Sequence, residues 1–204
     1  KQQQMAVENQ QLRTESISNQ YEALKNQLNP HMLFNSLNTL QSLIREFPDR
    51  AMNYTRELSK VLRYTLQGNE SQLVTLREEL TFAEAYIFLM KMRYEENLSF
   101  EIRTEEQSSC YLIPPMSLQV LIENAIKHNE ISNLHPLSIH IYTQGDSLIV
   151  SNPVQPKRTD SAGTGIGLDN LAKRYHLLMQ RQVEITTDRG LFRVRLPLLN
   201  PDRL

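Results

Sequence analysis

PPMSLQVLIENAIKH, residues 114–128, is the stretch from which the rest of the chain can be read. Leu118, Leu121, Ile122 and Ala125 recur at helical spacing, and two prolines suit the opening turn, which predicts a helix over 114–129. Asn124, Lys127 and His128 stand at i, i+3 and i+4 and so project from one face of it. An amide oxygen can ligate a hard cation such as Mg²⁺, while an ammonium and an imidazole can reach phosphate oxygens. The plainer reading is a solvated polar face whose last-turn Lys and His complement the helix dipole.

On the C-terminal side, strand and helix interleave. Residues 98–103 read as a strand, and 138–143 with 147–152 as a hairpin around Gln144, Gly145 and Asp146. A helix is expected over 167–178, and strands over 183–187 and 191–196 turn at Asp188, Arg189 and Gly190. This pattern predicts a mixed sheet covered by helices on one face. The chain has only 6 glycines in 204 residues, yet Gly163, Gly165 and Gly167 fall within five positions, running into Leu168 and the helix. Backbone N–H groups in such a loop can approach phosphates, and a helix start adds its dipole. The triplet lacks the lysine of a P-loop and the immediately preceding strand of a dinucleotide fingerprint, which excludes both.

On the N-terminal side, Thr75 and Glu78 form a capping box ahead of a helix marked by Leu80, Ala83, Ile87, Met90 and Tyr94. Further upstream, Ile17, Tyr21, Leu24 and Leu28 make a coiled-coil seam, and Pro30 kinks the helix before a second seam at Leu33, Leu37, Leu40 and Ile44. Asp49 is expected to cap a second helix with Tyr54, Leu58, Val61, Leu62 and Thr65 on one face, stopped by Gly68. Such a helical hairpin leaves an apolar face uncovered, and a dimeric four-helix bundle would bury it. His31 stands beside the kink. A neutral imidazole, with an unperturbed pKa of about 6.5, is a competent nucleophile toward phosphorus, and Asn35 one turn on can orient one ring nitrogen. The plainer reading is a surface histidine beside a structural proline.

Composition narrows the classes further. The 22 Lys+Arg and 23 Asp+Glu leave a net charge of −1, so no global field draws nucleic acid or a membrane surface. One cysteine, Cys110, forms no internal disulfide, and no Cys/His cluster has zinc spacing, which points to a reducing compartment. No run of about 18 apolar residues is present, and the polar start at Lys1 has no signal-peptide core.

Taken in order, NPHMLFN (29–35), 76–98, 114–128 and GTGIGLDNLAKRY (163–175) resemble the sensor histidine kinases of the LytS type, from about residue 21 to 197. The resemblance implies an α+β chain: a helical dimerisation and phosphoacceptor domain with its coiled-coil lead-in (1–70), then an ATP-binding α/β sandwich of the histidine kinase, gyrase and MutL type (75–199). It implies autophosphorylation of His31 from ATP and phosphoryl transfer to a response-regulator aspartate. Asn124 would be the Mg²⁺ ligand, and Lys127 and His128 phosphate contacts. Gly163, Gly165, Gly167 and Leu168 would belong to the loop closing over ATP. Glu123 is a candidate base by analogy with ATPases of this fold. The implied setting is a homodimer in the cytoplasm, with an inner-membrane sensor part before Lys1, no nucleic-acid partner and no membrane contact from this segment. Many relatives carry Asp-x-Gly where this chain reads Asn152, Pro153, Val154; Asn152 can accept from an adenine amino group but without the aspartate's charge. The rival readings are a degenerate, non-catalytic signalling scaffold and a hydrolase in which Glu123 activates water.

Overall fold

The computed structural model describes residues 30–67, 72–157 and 166–203. The expected coiled-coil lead-in and its kink, the stop at Gly68, and Gly163 and Gly165 lie outside them. Two helices, α1 (Pro30–Glu46) and α2 (Pro48–Gln67), form the hairpin, joined by Phe47 alone. Pro48 is the first residue of α2, so Asp49 sits inside its first turn and favours the dipole from there; it is not the cap. The α1 stripe that packs inside the chain is Met32, Ser36 and Leu43. The expected seam is only partly covered, with Leu37 and Ile44 exposed beside Phe34, Phe47, Met52 and Leu66. On α2 the expected face holds: Tyr54, Leu58, Val61 and Thr65 are buried.

A two-residue strand β1 (Val74–Thr75) leads into α3 (Leu76–Tyr94), where Thr75 and Glu78 make the capping box in full. Strand β2 (Leu98–Arg103) follows, then β3 (Leu112–Ile113), which pairs antiparallel with β1 in a small ribbon too short to show a period in sequence. Helix α4 (Ser117–His128) begins three residues later than expected: Pro114 and Pro115 precede it, and Met116 takes a left-handed conformation at φ 63°. Strands β4 (Leu137–Thr143) and β5 (Ser147–Pro153), helix α5 (Ile166–Met179), and strands β6 (Glu184–Asp188) and β7 (Leu191–Pro197) complete the chain. The sheet order is β2-β4-β5-β7-β6, parallel only between β2 and β4. Gly145 (φ 58°) turns the β4–β5 hairpin, and Arg189 (φ 48°) with Gly190 (φ 75°) turns β6 into β7, a two-residue turn of the kind that suits the strand twist. Along β4 the side chains alternate, Leu137, Ile139 and Ile141 facing a core shared with Leu118, Ile122 and Ala125 of α4 and Leu171 and Tyr175 of α5.

The start of α4 has no cap of its own; Glu79 of α3 supplies it. One carboxylate oxygen accepts from the Leu118 N–H at 2.8 Å, and the other from the Met116 N–H at 2.9 Å and the Tyr64 hydroxyl of α2 at 2.8 Å. Glu79 is fully buried, and burial pushes its pKa up from 4.5 against the opposing pull of these donors and of Arg174 on α5. The folded chain therefore holds the Glu79 proton more tightly than the unfolded chain does. The contribution of Glu79 is greatest below pH 4.5 and declines as pH rises through the raised value.

Replacing Glu79 by Ala orphans two backbone N–H groups and the Tyr64 hydroxyl, at about 1–3 kcal/mol for leaving a buried donor unsatisfied. The urea midpoint should fall with its slope unchanged, and the part of the stability loss that sets in above pH 4.5 should disappear from the variant's pH profile. A variant as stable as the parent chain at pH 7 would contradict the capping role.

Candidate active site

His31 is the second residue of α1 and is exposed, because its neighbours Met32, Ser36 and Leu43 take the buried stripe. Asn35, one turn on, brings its amide nitrogen to 3.1 Å from Nδ1 and 3.2 Å from Nε2, so it can donate to whichever ring nitrogen lacks a proton. Thr39 donates to the Asn35 carbonyl at 3.0 Å. The spacing expected from sequence is thus realised as a contact.

Across from α1, the side chains of Glu123 and Lys127, one turn apart on α4, line a cleft of about 500 Å³ together with His31 and Asn35. Arg93 of α3 and Lys157, which follows β5, line it too, so three cationic residues and one acidic residue share the cleft with His31. Glu123 is tethered: Tyr86 of α3 donates its hydroxyl to Oε1 at 3.1 Å, and Gln119 donates its amide to the same oxygen at 2.8 Å. Asn124 and His128, expected to share a face with Lys127, are half-buried and do not line this cleft. The structure therefore divides the motif, Glu123 and Lys127 toward His31, Asn124 and His128 away from it.

Asn124 lies one turn beyond Val120, and the nearest atom to a side chain built on Gly167 is Val120 Cγ1 at 3.8 Å. The first turn of α5 therefore packs within about a turn of Asn124. Gly167 does not have a positive φ, and a methyl group there would meet only ordinary contact. Leu168 is half-buried against the core. Asn152 on β5 is buried and shares the strand face of Leu148 and Val150, directed toward the helices. Its amide nitrogen donates to the Pro153 carbonyl at 2.7 Å, which leaves Oδ1 as the accepting end. An amide oxygen, a helix start and an imidazole are each groups able to meet Mg²⁺ or phosphate oxygens, Mg²⁺ taking few protein ligands beside its phosphates. Among the described residues no three His, Cys, Asp or Glu side chains gather into a metal site.

Several groups escaped the sequence reading. Asn129 caps the end of α4 by donating to the Ala125 carbonyl at 2.8 Å, and its Oδ1 accepts from the Gln155 N–H at 2.6 Å. Lys157 donates to the carbonyls of Lys127 at 2.6 Å and Ile126 at 3.2 Å. These contacts anchor the segment after β5 to the end of α4. A lysine opposite helix-end carbonyls is a recognisable signal, but it stands 30 residues from Lys127 in sequence, and only the fold reveals the pairing.

Residues 19–98 match the family model for histidine kinases. Over 174 residues the chain is 35% identical to "Sensor protein LytS" of Streptococcus agalactiae serotype V, covering 76% of this chain and 29% of that protein. It is 33% identical over 171 residues to "Sensor protein LytS" of Staphylococcus epidermidis, covering 74% and 28%. Against "Sensor histidine kinase/phosphatase LytS" of Staphylococcus aureus it is 39% identical over 106 residues, 52% of this chain and 18% of that one. The chain thus spans less than a third of the length of these curated relatives. The cytoplasmic segment of the histidine kinase QseC superposes with a TM-score of 0.48 at 17% identity, over 74% of this chain and 94% of that one, and the assignment rests on the sequence matches alone. The chain belongs to the histidine kinases, among the sensor proteins of the LytS type.

Proposed function

We propose that the chain is the kinase core of a two-component sensor, autophosphorylating His31 from ATP and passing the phosphoryl group to an aspartate of a response-regulator protein. The observation that carries this reading is the single cleft lined by His31, Asn35, Glu123 and Lys127. Asn35, with its amide within reach of both ring nitrogens, orients the imidazole and gives way as the phosphate arrives. The ring nitrogen that carries no proton attacks the γ-phosphorus with its lone pair, while Glu123 takes the proton from the other. The N–P bond forms while the bond to the bridging oxygen breaks, and that electron pair leaves on ADP. Lys127 offsets the charge gathering on the transferred oxygens.

The nucleotide is held by the groups around the α4–α5 contact. Asn124 is the Mg²⁺ ligand, His128 and the loop of Gly163, Gly165, Gly167 and Leu168 meet phosphates, and Asn152 accepts from the adenine amino group. Mg²⁺, when bound, neutralises phosphate charge and orients the chain of phosphates for in-line transfer. The hairpin (1–70) serves as the phosphoacceptor unit and 75–199 as the nucleotide-binding unit. Among the described residues no helix is long and apolar enough to cross a membrane. In this reading the segment works on the cytoplasmic side of a membrane-anchored sensor. The exposed Phe34, Leu37, Ile44 and Met52 are the surface through which two copies pair.

His31→Gln should retain the fold and nucleotide binding yet give no acid-labile, base-stable label on incubation with labelled ATP and Mg²⁺. A scaffold would give no label in the parent chain, and a hydrolase would release phosphate without one. Calorimetry should show Asn124→Ala weakening ATP binding more than Asn152→Ala, since bonds to charged groups are worth about 1.5–3 kcal/mol against about 0.5–1.5 for neutral ones; the reverse order would unseat Asn124 as the cation ligand. In light scattering the parent chain should be dimeric and Leu37→Glu shifted toward monomer, and a monomeric parent would remove the pairing surface.

A further inference from the structure

We infer that Tyr86 is a positioning residue for phosphoryl transfer: its hydroxyl, with the amide of Gln119, holds the Glu123 carboxylate so that Oε2 serves as the proton acceptor in the cleft lined by His31. This rests on the reading of Glu123 as the base. Both donors converge on Oε1, at 3.1 Å from Tyr86 and 2.8 Å from Gln119, and Oε2 makes no hydrogen bond among the described residues. A carboxylate tied at one oxygen by two donors on different helices is fixed in rotation, with one oxygen left to act.

The tether is built at some cost to the interior. Tyr86 is only 2% exposed, and burial together with the charge of Glu123 pushes its pKa well above 10, so the hydroxyl remains a donor across the working range of pH. Gln119 is buried as well, and its own Oε1 is left without a hydrogen-bond partner. Turning that amide over would set its oxygen against the carboxylate, acceptor against acceptor, and lose the bond to Glu123, so the orientation that serves Glu123 prevails. The charged and titratable groups sharing the cleft with Glu123 are Tyr54 of α2, Tyr86, Arg93 and Tyr94 of α3, Lys127 of α4, Lys157 and His31. The Tyr86 ring stacks with Phe82 at 6.3 Å, a contact that phenylalanine preserves, so Tyr86→Phe removes the hydroxyl and little else.

The test compares Tyr86→Phe, Gln119→Leu and Glu123→Gln in the full chain, measuring the rate of acid-labile labelling at saturating ATP and Mg²⁺ and the ATP dissociation constant. Tyr86→Phe should slow labelling by about tenfold, the scale of one hydrogen bond to a charged group, with the dissociation constant unchanged. Glu123→Gln should abolish most of the rate. An unchanged rate in Tyr86→Phe, with Glu123→Gln inactive, would overturn the positioning role alone. A fully active Glu123→Gln would overturn the base assignment and this inference with it. Weaker ATP binding in step with the slower rate would also overturn the role. If Tyr86→Phe loses its cooperative unfolding transition, Gln119→Leu is judged by the same readouts.

Discussion

One buried carboxylate holds the structure in register. Glu79 leaves α3 to cap the first turn of α4, accepts the hydroxyl of Tyr64 from the hairpin, and lies within the field of Arg174 on α5. A helix start carries about half a positive charge, so a carboxylate there compensates both the free N–H groups and the dipole. The left-handed Met116 is the local consequence: its N–H must turn toward Glu79 rather than continue a helix. Without this contact α4, which carries Glu123, Asn124, Lys127 and His128, would have no fixed origin relative to α2 and α3.

The other end of α4 is held differently. Asn129 and Lys157 satisfy its last carbonyls and tie it to the segment after β5, so the helix is gripped at both ends by residues far away in sequence. Between these grips Glu123 and Lys127 look toward α1 while Asn124 stands near the start of α5. One helix thus presents two flanks, Glu123 and Lys127 on the cleft and Asn124 toward α5. Spacing at i, i+3 and i+4 placed Asn124, Lys127 and His128 on a common face, but a helix face is broad. Packing against both α5 and the cleft divides it.

The sequence by itself determined most of the elements and the pairing of His31 with Asn35. Strict periods gave α3, β4, β5 and β7 within a residue or two, the Thr75–Glu78 capping box appears in full, and His31 with Asn35 one turn on is a contact that helical spacing alone dictates. Local signals failed where a distant partner decided the outcome. Pro114 and Pro115 read as a helix opening, yet α4 starts at Ser117 because its cap comes from Glu79, 39 residues before Leu118. Likewise β1 and β3 are two residues each, too short for a period, and exist only because they pair. The tertiary structure alone decided that Tyr86 and Gln119 converge on Glu123 and that Lys157 grips the end of α4. It also left Leu37 and Ile44 of the expected seam uncovered while Met32, Ser36 and Leu43 pack inside. The reason is physical: side-chain periodicity reports which groups share a face of one element, whereas the partner of that face is set by contacts closing over tens of residues, which no local pattern encodes.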